Sequence, residues 1–394
     1  MSLLATSDSS FPLLVVLNPH AGRKQGREQF TTIVKPALDK AEIPFRLIET
    51  TAKGHALTYF KENTQRILSD LAQSLATTST KDLILQIMVL GGDGTVHEIV
   101  NGVLGALKCL YHAQSEFQPK IMFSVIPTGT GNSIATSLGI KSVQDAIDRY
   151  LSGNTQALRV MTVSTRDERP PTAPSVSVSS PPSPVPFQEW NVQLYTVVVN
   201  SFGLHAATVY EAEGFRSLGN DRFKLSALKN IALLQQYSAT VDLYGPIQRY
   251  DGTVGEFEAV PTANATSPEE AANVLSRHLP GPFTYLLITK QASMEPGFKP
   301  TPFARASDEW LDVLCVQNVG RLTMLKILGE AKSGAHIDDW RVQYFKAKVV
   351  ELETPQGGRL CVDGEFLPIG AGLSGRVRVE VVSDPQVQLF HVFA

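Results

Sequence analysis

Over the first third of the chain, short apolar runs alternate with stretches of helical spacing. Phe11–Leu17 reads as a buried strand, and Phe30, Ile33, Val34, Ala37 and Leu38 recur at the period of a helix face. Phe45–Thr50 reads as a second strand and Ala56–Leu75 as a second helix. The run ending Ile87-Met88-Val89-Leu90 is a third strand, followed by a helical spacing through Val96, Ile99, Val100, Val103 and Leu104. Lys120–Ile126 is a fourth strand. Strands that alternate with helices predict a parallel α/β sheet, whose ligands gather at the carboxyl ends of the strands.

After about Tyr150 the pattern changes. β-rich runs at 158–163, 192–199, 241–244, 285–289, 311–317, 342–352 and 377–382 predict a mainly antiparallel β-sandwich. Two helical segments, 223–236 and 322–332, interrupt it. The expected class is thus α/β followed by β. A Rossmann-like parallel α/β domain spans 11–150, with 383–394 returning to it, and a β-sandwich domain spans 151–382. A Pro/Ser-rich stretch at 165–189 reads as a disordered insertion, and the polar stretch 255–282 as a second loop carrying a short helix.

A length of 394 residues suits two domains. A formal net charge of −3 points away from a nucleic-acid partner. Cys109, Cys315 and Cys361 form no C-x-x-C pair and are odd in number, which fits a reducing, cytoplasmic setting rather than disulfides or zinc. The first residues lack the basic and apolar regions of a signal peptide, and no apolar run reaches the roughly 20 residues that span a bilayer. Any membrane contact is expected to be peripheral.

Three strands run into glycine turns: Asn18-Pro19-His20-Ala21-Gly22, Gly91-Gly92-Asp93-Gly94-Thr95 and Pro127-Thr128-Gly129-Thr130-Gly131-Asn132. A strand, a glycine turn and a helix N-terminus aim backbone N–H groups at phosphate. Neither a Walker A loop nor a complete G-x-G-x-x-G fingerprint is present. Asp93 stands out because a carboxylate repels phosphate; inside such a turn it has another role, such as handling a proton or a metal ion.

In this order and spacing the three turns resemble the diacylglycerol-kinase catalytic domain family, which includes sphingosine, ceramide and bacterial diacylglycerol kinases. Glu213-Gly214-Phe215-Arg216-Ser217-Leu218-Gly219-Asn220-Asp221-Arg222-Phe223 and Cys361-Val362-Asp363-Gly364-Glu365 are similar to blocks of its eukaryotic sphingolipid branch. The resemblance implies transfer of the γ-phosphoryl group of ATP, with Mg²⁺, to the hydroxyl of a membrane lipid. It makes Asp93 the general base, with Gly92, Gly94 and Thr95 around the phosphates. Asn18, Thr50, Glu98, Gly129, Thr130 and Gly131 fall around the nucleotide. Arg216 and Arg222 reach the phosphates from the second domain, and Asp363 and Glu365 belong to the Mg²⁺ and phosphate network. His97 reads as structural. His20 replaces a residue that is often basic.

Sphingosine kinases carry an Asp that meets the substrate amine nine residues before the Leu-Gly of the arginine block; here that count lands on Val209. Valine cannot partner a desolvated ammonium, so this position fits a neutral lipid, unless a shift of alignment brings in Glu211. The expected activity is sphingosine kinase-like, on a sphingoid base or ceramide, with diacylglycerol as the alternative acceptor. An NAD kinase shares the G-G-D-G-T turn; a catalytically silent nucleotide-binding module and a lipid-binding scaffold, which would not need three phosphate turns, are the other rivals. Peripheral membrane association follows from a lipid substrate, and the resemblance leaves room for a homodimer.

Overall fold

The computed structural model describes residues 13–75, 83–108, 119–165, 190–218, 221–261, 274–370, 375–382 and 389–394. The first sheet has six strands. Five are parallel, beginning with β1 (Leu13–Leu17), β2 (Phe45–Glu49), β3 (Ile84–Gly91) and β4 (Lys120–Pro127), in spatial order β2-β1-β3-β4. Every residue of β1 is buried, as expected of a central strand covered on both faces. Strand Phe390–Phe393 then pairs parallel to β4, and Thr155–Ala157 closes the edge antiparallel to it. Phe390 stacks on Phe123 of β4, with ring centroids 5.7 Å apart.

The rest is an antiparallel sandwich of an eight-stranded and a six-stranded sheet. Its core holds Val241, Leu243, Leu286, Val313, Phe345, Val350 and Val377. The helical segments of this half run over Asp221–Ala232 and Arg321–Glu330.

Two apolar runs that read as single strands are each two. The run 192–199 is Asn191–Thr196 in the six-stranded sheet and Val199–Gly203 in the eight-stranded sheet. Likewise 342–352 divides into Val342–Ala347 and Val349–Thr354, one in each sheet. The inner faces of both sheets are apolar, so the β-type pattern carries on where the chain changes sheets. A helix at Leu204–Ala212 follows Val199–Gly203 and carries Val209. The expected loop 255–282 has ordered flanks, Glu256–Val260 and Leu275–Pro280, which are strands of different sheets. The rest of that stretch (262–273) and the Pro/Ser-rich residues 166–189 lie outside the described residues.

Cys315 and Cys361 are buried free thiols; Cys109 lies outside the described residues. No helix among the described residues is long and apolar enough to cross a membrane.

Candidate active site

The carboxyl ends of β1, β3 and β4 bring the three glycine turns into contact. The Asn18 amide donates to the Leu90 carbonyl at 2.8 Å, and its side-chain nitrogen donates to Thr95 Oγ1 at 3.1 Å. A Cβ on Gly22 would lie 2.5 Å from the Thr128 carbonyl oxygen, and Gly22 has φ +50°, where glycine is favoured. A Cβ on Gly129 would overlap the Cα of Gly92. The turns therefore pack backbone on backbone, which only glycine permits. Gly129→Ala is expected to destabilise the fold by about 1–3 kcal/mol through overpacking. Gly94→Ala, which meets nothing within 4 Å, keeps the wild-type denaturation midpoint or raises it slightly. Urea unfolding of the two variants checks this contrast.

Asp93 opens the helix Asp93–Lys108, where its charge complements the helix dipole. Its Oδ2 accepts from the Ser133 amide at 2.8 Å and its Oδ1 from the Ile134 amide at 3.1 Å. It thus joins the β3 turn to the start of the helix that follows β4. Burial raises its carboxyl above the usual range; the two amide bonds pull the other way and the charge of Asp363 adds to the rise.

Around Asp93 runs a cavity of about 1090 Å³. The glycine turns line it together with Lys24, Lys53 and Glu98. Val198, Leu204, Val209, Met294, Phe298 and Leu328 from the sandwich half add an apolar part of the lining. Arg222 also lines it, 3.8 Å from Glu213. So does His205. Its Nδ1 lies 2.7 Å from Ser201 Oγ, and burial pushes its pKa down to about 4, so it is neutral at physiological pH.

The expected site residues divide. Asn18, Gly92, Asp93, Gly94, Thr95, Glu98, Gly129, Thr130, Gly131, Val209, Arg222, Asp363 and Glu365 all line this cavity. Thr50 does not: it is buried behind the turns, its amide donating to the Leu17 carbonyl. The backbone of Arg216 lies in the short helix Glu213–Leu218, and its side chain falls outside the described residues.

For two carboxylates the geometry corrects the expected contacts. Glu98 accepts from the amides of Gly54 and Ala56, at 2.8 and 3.1 Å, and so caps the helix His55–Leu75. Asp363 Oδ1 accepts from the Val198 and Val199 amides at 2.9 and 2.8 Å. Its Oδ2 accepts from the Val197 amide at 2.7 Å and from His97 Nδ1 at 3.1 Å. These four bonds use the acceptor capacity of the group, so Asp363 does not fit a direct metal-ligand role. It holds the amides freed where the chain crosses between sheets, and through His97 it ties the sandwich to the Asp93 helix. Glu365 pairs with Lys53 at 2.7 Å, a second tie between the two halves. Asn101 makes a third, donating to the Tyr195 carbonyl at 2.8 Å and accepting from its amide at 2.9 Å.

Lys53 and Lys224 also line the cavity and lie outside every motif block. Glu211 does not line it and is ion-paired with Lys229 at 2.9 Å. Among the described residues no group of three or more His, Cys, Asp or Glu side chains could hold a metal ion.

Phosphate-type glycine turns, apolar side chains and the Asp93 carboxylate share one cavity, and the protein is a lipid kinase. Residues 12–163 match the diacylglycerol kinase catalytic domain, and 198–382 match the YegS C-terminal NAD kinase beta sandwich-like domain. The chain belongs to the diacylglycerol kinase catalytic-domain family. It is 25% identical to sphingosine kinase 2 of Arabidopsis thaliana over 375 residues, covering 91% of this chain and 69% of that protein. It is 25% identical to human sphingosine kinase 1 over 382 residues, covering 93% of this chain and 88% of the relative. A crystal structure of a diacylglycerol kinase from Bacillus anthracis has the same fold, with a TM-score of 0.55 at 14% identity over 97% of this chain and 96% of that one. Membership of a kinase family implies the use of ATP.

Proposed function

We propose that this chain transfers the γ-phosphoryl group of ATP to the hydroxyl of a sphingoid base or a ceramide, with diacylglycerol as the alternative acceptor. The observation that carries this reading is that Asp93 lines one cavity together with the glycine turns and a set of apolar side chains from the sandwich. The turn amides and the start of the Asp93 helix receive the nucleotide phosphates, and Arg222 approaches them from the sandwich side. Asp93 takes the proton of the lipid hydroxyl. The hydroxyl oxygen bonds to the γ-phosphorus as the bond to the β–γ bridging oxygen breaks, leaving ADP. The amides of Ser133 and Ile134 fix the orientation of the carboxylate during this step. Mg²⁺ carried by the nucleotide supplies charge neutralisation, with few protein carboxylates needed to hold it.

The lipid tail occupies the apolar part of the cavity. We further propose that the protein meets the bilayer peripherally, through exposed leucines on helices that supply its lining. Leu225 and Leu228 stand on the helix that supplies Phe223 and Ala227 to the cavity; Leu322 and Leu325 stand on the helix that supplies Leu328.

Purified protein with labelled ATP and parallel sphingosine, ceramide, diacylglycerol and NAD tests the reading. Label is expected in a sphingolipid ahead of diacylglycerol. Label in NADP alone, or in no acceptor, would overturn it.

A further inference from the structure

Six carboxylates line the cavity: Asp93, Glu98, Glu213, Glu295, Asp363 and Glu365. Five have partners in the structure. Asp93 and Glu98 cap helices, and Asp363 is fully engaged by three amides and His97. Glu365 meets Lys53, and Glu213 lies 3.8 Å from Arg222. Among the described residues, the carboxylate of Glu295 makes no hydrogen bond and no ion pair.

Glu295 is nevertheless held in place. The Met294 amide donates to the Phe298 carbonyl at 3.1 Å, and the Phe298 amide donates back to the Glu295 carbonyl at 3.0 Å, closing a tight turn. The Met294 carbonyl accepts from Ser133 Oγ at 2.7 Å and sits 3.0 Å from where a Cβ on Gly131 would lie. Ser133 is the residue whose amide holds Asp93. Glu295 is therefore anchored one peptide away from the turn that positions the base. Its side chain is half-buried; burial raises its carboxyl, and the charge of Lys224, the nearby cation, works against that rise.

We propose that Glu295 is a specificity-determining residue: the counter-ion for a lipid ammonium group on the carbon next to the phosphorylated hydroxyl. This rests on the lipid-kinase reading and narrows its substrate to a free long-chain amino alcohol. In such a lipid the amine and the reacting hydroxyl sit on adjacent carbons, so the amine's partner must stand close to Asp93. An ammonium drawn from water into an apolar chamber needs a carboxylate there. Val209 cannot provide one, and Glu211 is occupied by Lys229. Glu295 lines the same cavity, on a loop that no count along the arginine block could find.

The test compares sphingosine with ceramide, whose amide nitrogen is neutral, in wild type, Glu295→Gln and Glu295→Gln/Val209→Asp. Loss of a charge-assisted contact is expected to raise KM for sphingosine about 10- to 100-fold. The contact is made in ground and transition states alike, so kcat stays within about 2-fold. The ratio of kcat/KM for sphingosine over ceramide falls with it, and Val209→Asp restores part of the loss by offering a carboxylate from the neighbouring helix. An unchanged KM for sphingosine, or a fall in kcat as large as the rise in KM, would overturn the assignment. So would a wild-type enzyme that phosphorylates ceramide and not sphingosine, although the kinase reading would then stand. A wild-type enzyme that labels no lipid removes both.

Discussion

Asp93→Asn is expected to lower kcat by about 10²–10⁴-fold, the usual worth of a positioned general base, and to leave the fold in place. The side-chain amide keeps one acceptor for the Ser133 and Ile134 amides and presents a donor to the other, so the stability cost is about 1 kcal/mol. Labelled-ATP turnover and a thermal melt measured on one preparation separate the two effects. A second signature is the acid limb of the pH profile. Burial, helped by the charge of Asp363, raises the Asp93 carboxyl more than the two amide bonds lower it. A base must be ionised to act, so activity is present above the raised pKa and lost as pH falls through it. The wild-type limb therefore lies above the range of a free aspartate, and the residual activity of the variant lacks that limb. If Asp93→Asn retains more than about a tenth of wild-type kcat, the carboxylate is not the base.

Asp363→Ala is expected to act on stability first. Its side chain is fully buried, and removal strands the amides of Val197, Val198 and Val199 along with His97. Breaking a buried charged network of this kind costs about 3–5 kcal/mol, a large part of the stability of an ordinary domain. The denaturant midpoint measures it. The loss also depends on pH through His97. Burial pulls the His97 pKa down, but its bond to Asp363 and the nearby carboxylates outweigh this, and the net shift is upward. A group whose pKa is raised on folding contributes its stability below its unfolded pKa and loses it as pH climbs through the folded value. The gap between wild type and Asp363→Ala is thus widest in mild acid and narrows as His97 deprotonates. A gap of constant size across that window would show that the His97 contact contributes nothing.

These residues also mark where sequence reading ends. The four parallel strands were legible because apolar runs alternate with helical periods, whereas their spatial order β2-β1-β3-β4 was not read from the sequence. The gathering of glycine turns was legible because parallel strands place all their carboxyl ends at one edge. The break at Val197 and Val198 was not, because both sheets bury valine and the signal for a change of sheet is an aspartate some 165 residues away. For Asp363 and Glu98, their kind and place in the motif blocks suggested ligand contacts. Their backbone partners depend on segments no motif includes. Glu295 had no local signal: an acid before Pro296 in a surface-like turn reads as solvated until the loop is seen against Gly131 and Ser133.

The strand Phe390–Phe393, set beside β4, has a consequence for how the chain is made. On the ribosome, β4 emerges long before the strand that covers its free side. Through synthesis of the whole sandwich, the nascent catalytic sheet keeps an open, apolar edge that invites pairing with other chains. The α/β half, begun before the sandwich, therefore completes only after it, and chaperone protection of that edge during translation is the expected need.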